Sequence, residues 1–380
     1  MDTLRLHLSS YSSSYFSNAL LAGLVLIPII VVLTSPQLRK WQSNLSLLRF
    51  GHRQRTVTEV TALRVYPIKS CRGFQVSRTT LRLQGLDLDR RWMFVDARTR
   101  EFLTIRQIPQ MTLIGTALSD DGESLLISVS GKTVSIPAHP SDEWLAANTT
   151  LASVKIWDLE TDGYLYGRDV NEPFSAFLQK DVCLVYKGPT PRVLRGNGDP
   201  RVLGRTQTTF FPDVHPVLIA SEASMAELNA RLAKKGVDPI TIERFRPNIV
   251  VKGTVPWAED TWKLVRISQT STSTSPEKEQ KQEKKPLDID IIARCTRCQV
   301  PNVDPSTANK HQSEPWDTLM SYRRVDEGMK YKPCFGMLSA PRNEGEIEVG
   351  MKLEVLAETK QHRDGFCSID DDDDDGVDND

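Results

Sequence analysis

Val60 to Ile68 reads VTALRVYPI and Arg91 to Asp96 reads RWMFVD. Both are short runs of β-branched and aromatic residues. More follow at FLTI (102–105), MTLIGTAL (111–118), SLLISVS (124–130), TVSIP (133–137), SVKIWD (153–158) and VCLVYK (182–187), separated by Gly, Asp, Ser and Pro. Repeated short strands with turn residues between them suggest a barrel. One helix interrupts the pattern. Ser224-x-x-Glu227 reads as a capping box, Met225, Leu228 and Leu232 share a face, and Gly236 ends the helix. Strand-like runs resume at NIVVKG (248–253), WKLVRI (262–267), DIDIIAR (288–294), GMLSA (336–340) and IEVGMKLEVL (347–356), with a shorter helix over Trp316 to Tyr322. The predicted class is mainly β (α+β).

A chain of 380 residues holds two or three domains. Adding Gly to the hydrophobic residues and removing Tyr gives an apolar share of about 42%, which argues against wholesale disorder. The Pro-, Gly- and Arg-rich stretch Lys187 to Gly204 marks a boundary between a β domain at 57–186 and a second at 205–358. Within the second, Ser268 to Pro286 (SQTSTSTSPEKEQKQEKKP) lacks apolar periodicity and reads as an exposed hairpin insertion. Residues 359–380 form an acidic tail, read as solvated and disordered. Formal net charge is −1, but eight acids (Asp370 to Asp375, Asp378 and Asp380) fall in the last eleven residues, so the rest carries +7. That balance suits an anionic cofactor, an acidic protein or a membrane surface and is too mild to imply nucleic acid.

At the N-terminus, Ala19 to Leu33 (ALLAGLVLIPIIVVL) has no polar side chain, and with Thr34 it reads as an uncleaved transmembrane anchor at 19–34. A leader precedes it at 1–18 and a basic linker follows at 35–56. Arg39, Lys40, Arg49, Arg53 and Arg55 lie downstream, so the positive-inside rule places the large body in the cytosol. Six scattered cysteines fit a reducing compartment, whereas the sequons at Asn44 and Asn148 point weakly the other way.

Only Cys295 and Cys298, in Cys295-Thr-Arg-Cys298, are close neighbours. A structural zinc site needs four ligands, and Cys334, Cys367 and His311 are isolated. A thioredoxin-like pair expects to open a helix, and the surroundings are β. A single thiolate on a soft, redox-active metal is the third reading, with Arg294 and Arg297 beside it to lower the thiol pKa. Spacing alone does not choose among them. Other clusters combine cations with hydrogen-bonding groups. Tyr66-Pro-Ile-Lys69-Ser70 ends a strand, Asp89-Arg90-Arg91-Trp92 opens one, and Arg246-Pro-Asn248 sets a guanidinium beside an amide suited to a heterocycle edge and its phosphate.

YPIKSCRG, DLDRRW, TIRQIPQ, LIASEASMAELNARL, RFRPNIVV, ARCTRCQVPNVDP and IEVGMKLEVL, in this order over Val57 to Leu356, resemble the mitochondrial amidoxime-reducing components. These are built from domains named for the molybdenum cofactor sulfurase C-terminus (MOSC). The resemblance implies an N-terminal β-barrel-like MOSC region packed on a MOSC barrel, with molybdopterin held between them. It implies Cys298 as the molybdenum ligand and catalytic thiolate, and Cys295 as a bystander. Lys69, Ser70, Arg90, Arg246, Asn248, Thr296 and Arg297 fall where similar proteins hold the pterin and its phosphate. Val214-His215-Pro216 departs from the family, which often has a Thr-Ser or similar pair before the Pro. The implied activity is reduction of N-hydroxylated substrates, amidoximes and hydroxylamines, at the mitochondrial outer membrane. Cytochrome b5 and its NADH-dependent reductase are the implied donors, since the chain has no haem-type CxxCH, Rossmann glycines or ferredoxin cysteines of its own. A MOSC protein that carries sulfur on Cys298 is the alternative. Asp304 is a candidate proton donor, although an Asp before Pro commonly shapes a turn.

Overall fold

The computed structural model describes residues 56–269 and 285–362. The leader, the anchor at 19–34, nearly all of the linker, most of the insertion and the acidic run lie outside the described residues. Among the described residues, no helix is long and apolar enough to cross a membrane.

Seven strands close into a barrel. In spatial order they are Ile249–Val251, Val217–Ser221, Cys334–Pro341, Leu287–Thr296, Trp262–Ser268, Lys352–Glu358 and Val57–Val65, and the last pairs back onto the first. Alternation, reset by a register shift between Val60 and Ala62, lets Val57–Val65 close the ring. Val60, Leu63 and Val65 point inward and are at most 2% exposed, while Val57 and Glu59 face out. Most neighbours are antiparallel, but Val217–Ser221 and Ile249–Val251 run parallel and are joined through the helix Glu222–Lys234, the long crossover that a parallel pair requires.

Between the first strand and the rest of the barrel, the chain builds a second β layer. Trp92–Asp96, Val182–Lys187, Leu159–Tyr166 and Thr149–Ile156 form a four-stranded sheet, and Gly115–Leu118, Ser124–Val129 and Lys132–Pro137 form a three-stranded one. One continuous core joins them to the barrel, with Trp92, Phe94, Leu125, Ile127 and Phe174 packed together with Leu63, Val265 and Ile289. The mainly β expectation is met. The first strand of the N-terminal segment belongs by hydrogen bonding to the barrel of the C-terminal one, as does Phe74–Val76 beside it.

Local departures have physical reasons. FLTI forms no strand: Phe102 makes one bridge to Val95, and turns follow. MTLIGTAL divides into a 3₁₀ turn, Pro109–Leu113, and the strand Gly115–Leu118. The helix at 222–234 begins two residues before the predicted cap, with Ser221 at its N-cap, because the Ser224 hydroxyl donates to the buried Glu259 instead (2.6 Å). The predicted face of Met225, Leu228 and Leu232 is buried, Gly236 follows in the left-handed region, and the second helix spans Trp316–Tyr322 as expected. Three helices among the described residues were not anticipated, one of them the single turn Pro200–Leu203. Asp142–Asn148 is capped by Ser141, and Arg168–Leu178 carries Pro173, which reads as a breaker in sequence.

Candidate functional site

Where the closing strand ends, the chain turns so that the Lys69 amide donates to the Trp92 carbonyl (2.8 Å), which carries Lys69 and Ser70 to one wall of a cleft. Arg90 reaches it from the turn before Trp92. Arg246 follows the 3₁₀ turn Ile242–Phe245, Asn248 opens the strand after it, and Thr296 ends the strand Leu287–Thr296, releasing Arg297 and Cys298. All eight side chains singled out in the sequence line this one cleft, of about 350 Å³, a volume suited to a small-molecule or cofactor site. Three of them, Ser70 (φ 69°), Arg90 (φ 48°) and Arg246 (φ 57°), adopt the left-handed backbone that L-residues avoid. Such strain survives where the surrounding structure imposes it, commonly at functional sites.

The guanidiniums are held by a buried scaffold. Arg90 donates to both carboxylate oxygens of Asp89 (2.8 and 2.6 Å) and to the Arg246 carbonyl (3.1 Å), and Asp89 also accepts the Tyr66 amide (2.8 Å). The Tyr66 ring contacts two cations, lying 4.5 Å from the Arg90 guanidinium carbon and 4.3 Å from that of Arg246. Burial, then the charge of Arg90, lowers Arg246 to about 10, and its Nη2 has no partner. Lys69 is 6% exposed and donates to Phe211 O (3.1 Å) and the Asp213 carboxylate. Burial lowers it to about 8 even though Asp213 opposes the shift. Burial pushes the other way on Asp213, but Lys69 prevails and leaves that carboxyl at about 2.

Asn248 has less capacity left than its sequence context suggests. Its Oδ1 accepts the Leu218 amide (3.1 Å) and its Nδ2 donates to Arg64 O (3.2 Å), so the side chain clips neighbouring barrel strands and keeps one N–H. Arg297 addresses Cys295 and not Cys298. Its Nη1 donates to Cys295 Sγ (2.9 Å) and its Nη2 to Phe245 O (3.1 Å). Arg294 turns toward the carbonyls of Asp260 and Lys360. The expectation that both arginines flank the reactive thiol is therefore redrawn. Burial raises the Cys295 thiol, while Cys298 lies half-buried on the cleft wall. Asp304 accepts from the Ser306 amide (2.7 Å) and pairs with Arg244 (2.8 Å), as a turn residue does.

Sequence reading missed several wall residues. Arg192, 8% exposed, bonds the carbonyls of Phe210 and Pro212, and burial lowers it to about 10. It lay in the stretch read as an interdomain boundary. His215 is 6% exposed, neither ring nitrogen has a partner, and burial lowers it to about 4. The indole of Trp157, at a hairpin turn, donates to Asp213 (3.2 Å). In all, nine of the wall side chains are Lys or Arg and three are Asp.

A model of the MOSC N-terminal beta barrel domain matches residues 57–181, and a model of the MOSC domain matches 206–354. Barrel, β layer and cleft thus define a two-part MOSC protein. Mitochondrial amidoxime-reducing component 1 of Mus musculus is 31% identical over 319 residues, covering 82% of this chain and 86% of that protein. Mitochondrial amidoxime reducing component 2 of Bos taurus is 32% identical over 313 residues, covering 80% and 85%. The chain belongs to the MOSC-domain family of mitochondrial amidoxime-reducing components. A molybdenum cofactor sulfurase of Arabidopsis thaliana is 32% identical over 291 residues, 73% of this chain but 32% of that longer protein.

Proposed function

We propose that this protein is a molybdenum cofactor-dependent oxidoreductase that reduces N-hydroxylated compounds, amidoximes and hydroxylamines, with electrons from cytochrome b5 and its NADH-dependent reductase. Kinship with proteins named for amidoxime reduction supports an N-reductive role, and their mitochondrial naming supports a mitochondrial location, for which we propose the outer membrane. The observation that carries the reading is the cleft. It gathers cations and unpartnered buried nitrogens, Arg246 Nη2, Arg192 Nε and Arg297 Nε, around a half-buried cysteine. Buried donors without partners are costly and fit a ligand rich in anionic acceptors, such as a pterin with its phosphate.

In this reading Cys298 supplies the thiolate that holds the metal. Lys69, Arg90, Arg246 and Arg297 hold the anionic part through charge-assisted hydrogen bonds, and the hydroxyls of Ser70 and Thr296 with the remaining Asn248 N–H meet the pterin. Asp89 keeps Arg90 aimed, and the Tyr66 ring attracts both Arg90 and Arg246. When bound, the molybdenum–pterin group supplies the two-electron chemistry that cleaves an N–O bond. The cleft walls orient the substrate and exclude bulk water.

The test is metal and pterin analysis of purified protein, combined with oxidation of reduced cytochrome b5 on adding an amidoxime. Near-stoichiometric molybdenum with substrate-dependent oxidation is expected. A persulfide on Cys298 without molybdenum would instead establish the sulfur-carrier reading, for which the partial likeness to the sulfurase speaks.

A further inference from the structure

Val193 and Arg195, both exposed, and Met329 and Lys332, both half-buried, are among the residues that line the cleft. Between the latter two, the chain carries Lys330 and Tyr331. Tyr331 is 82% exposed, more than any other large hydrophobic side chain among the described residues, and Val325 in the same segment is 36% exposed. The segment is firmly built. Asp326 accepts the amides of Gly328 (3.0 Å) and Met329 (3.2 Å), the Lys332 amide donates to Met329 O (3.1 Å), and Arg323 ties the base to Asp260 (2.9 Å) and Cys334 O (3.1 Å). Its outer charges are Arg324, Lys330 and Lys332 against Glu327, since Asp326 is buried.

An aromatic ring held in water, in a segment that also carries the exposed Arg324 and Lys330 and lines the cleft through Met329 and Lys332, has the makeup of a transient docking surface. Aromatic, Met and Arg side chains are the ones enriched in interfaces, and surface charge there sets encounter rate and partner choice. The sequence carries no haem-type, Rossmann or ferredoxin motif, so in the reductase reading electrons enter from another protein, and a surface adjoining the cleft gives that protein a place to dock.

We propose that the rim formed by Tyr331, Lys330 and Arg324 is the docking surface for an acidic one-electron carrier protein. The inference rests on the reductase reading above. A donor tethered to the same membrane needs only weak docking, because tethering raises effective concentration, so a small, charge-guided patch suffices.

The test uses the full-length holoprotein in two assays, with cytochrome b5 and its reductase as donor and with dithionite as donor. Direct binding to cytochrome b5 is measured alongside. Arg324→Glu combined with Lys330→Glu should raise the KM for cytochrome b5 at least tenfold, weaken binding equally and abolish most of its salt dependence, while dithionite-driven turnover stays at the wild-type value. Tyr331→Ala should weaken binding several-fold, and Lys330→Arg should behave as wild type. Unchanged cytochrome b5 binding in the charge-reversed protein overturns the docking surface. So does an equal loss with both donors. Absence of turnover with dithionite in the wild type would count against the reductase reading, and the binding assay would still decide the rim.

Discussion

Substituting Cys298 by Ser replaces a soft thiolate with a mostly protonated hydroxyl of similar size. Molybdenum content, by elemental assay, is expected to fall to background, and turnover by about a hundredfold or more, beyond the range typical of losing an outer-shell partner. Cys295→Ala is expected to differ. It removes the acceptor of Arg297 Nη1 and so loosens one cofactor-facing cation, costing about tenfold in metal retention during gel filtration and leaving bound protein active. Two buried groups set opposite pH dependences. His362 is 5% exposed and lowered to about 4, by burial first and then by Arg294. The unfolded histidine takes a proton near 6.5 and the folded one does not, so stability falls as pH drops from about 6.5 to 4, by up to about 3 kcal/mol. Glu259 is 1% exposed and burial raises it to about 7. Its unfolded carboxyl releases a proton near 4.5, so this contribution is lost as pH rises from about 4.5 to 7. Urea titrations from pH 5 to 8 should show His362→Gln flattening the acid-side loss and Glu259→Gln removing the neutral-side one.

At the scale of elements, the strands Trp262–Ser268 and Leu287–Thr296 pair antiparallel with Ile267 opposite Leu287, so the low-complexity insertion leaves from and returns to adjacent positions. Replacing residues 270–284 by a four-residue Asn-Gly turn is therefore expected to keep the fold. Closure entropy grows only slowly with length, so the shorter loop should stabilise by about 1 kcal/mol, readable as an upward shift in Tm. The sequence sets the low-complexity run between the strand-like runs at 262–267 and 288–294, and those two do pair, while residues 270–284 themselves lie outside the described residues. Helix Trp316–Tyr322 and the buried stripe on Glu222–Lys234 were legible because their apolar spacing matches one face. The start of Glu222–Lys234 was not. Whether Ser224 caps its own helix or donates to Glu259 depends on a carboxylate thirty-five residues away that no local pattern reveals. The site shows the same division. The eight residues that the family resemblance singled out all line the cleft, whereas the place of Arg192 and Trp157 on its walls, the pairing of Arg297 with Cys295, the use of Asn248 as a clip and the isolation of His215 are tertiary facts.

For the whole molecule, the decisive feature is that the barrel of the C-terminal half is closed by a strand from the N-terminal end. Residue types predicted a strand over Val60 to Ile68, and it forms as Val57–Val65, but they could not name its partners. It pairs with Phe74–Val76, which follows it in the chain, and also with Lys352–Glu358 and Ile249–Val251, which close the barrel. Without it, Ile249–Val251 and Lys352–Glu358 become open edges, and the inward faces once covered by Val60, Leu63 and Val65 meet water. Those side chains are each worth about 1.5–3 kcal/mol when fully buried, and their joint loss is comparable to the 5–15 kcal/mol stability of an ordinary domain. Residues 205–358 expressed alone are thus expected to lack a cooperative thermal transition and to aggregate through the unpaired edges. Residues 56–358 should unfold in one step by circular dichroism. The same dependence reaches the site, because Lys69 and Ser70 are delivered by the turn that follows the closing strand while Cys298 is delivered by the barrel. A peptide spanning residues 56–77, added to the isolated half, should restore a cooperative transition if barrel closure is what that half lacks. A cooperative transition in 205–358 without the peptide would show that the barrel closes by other means and that the two halves of the cleft are assembled independently.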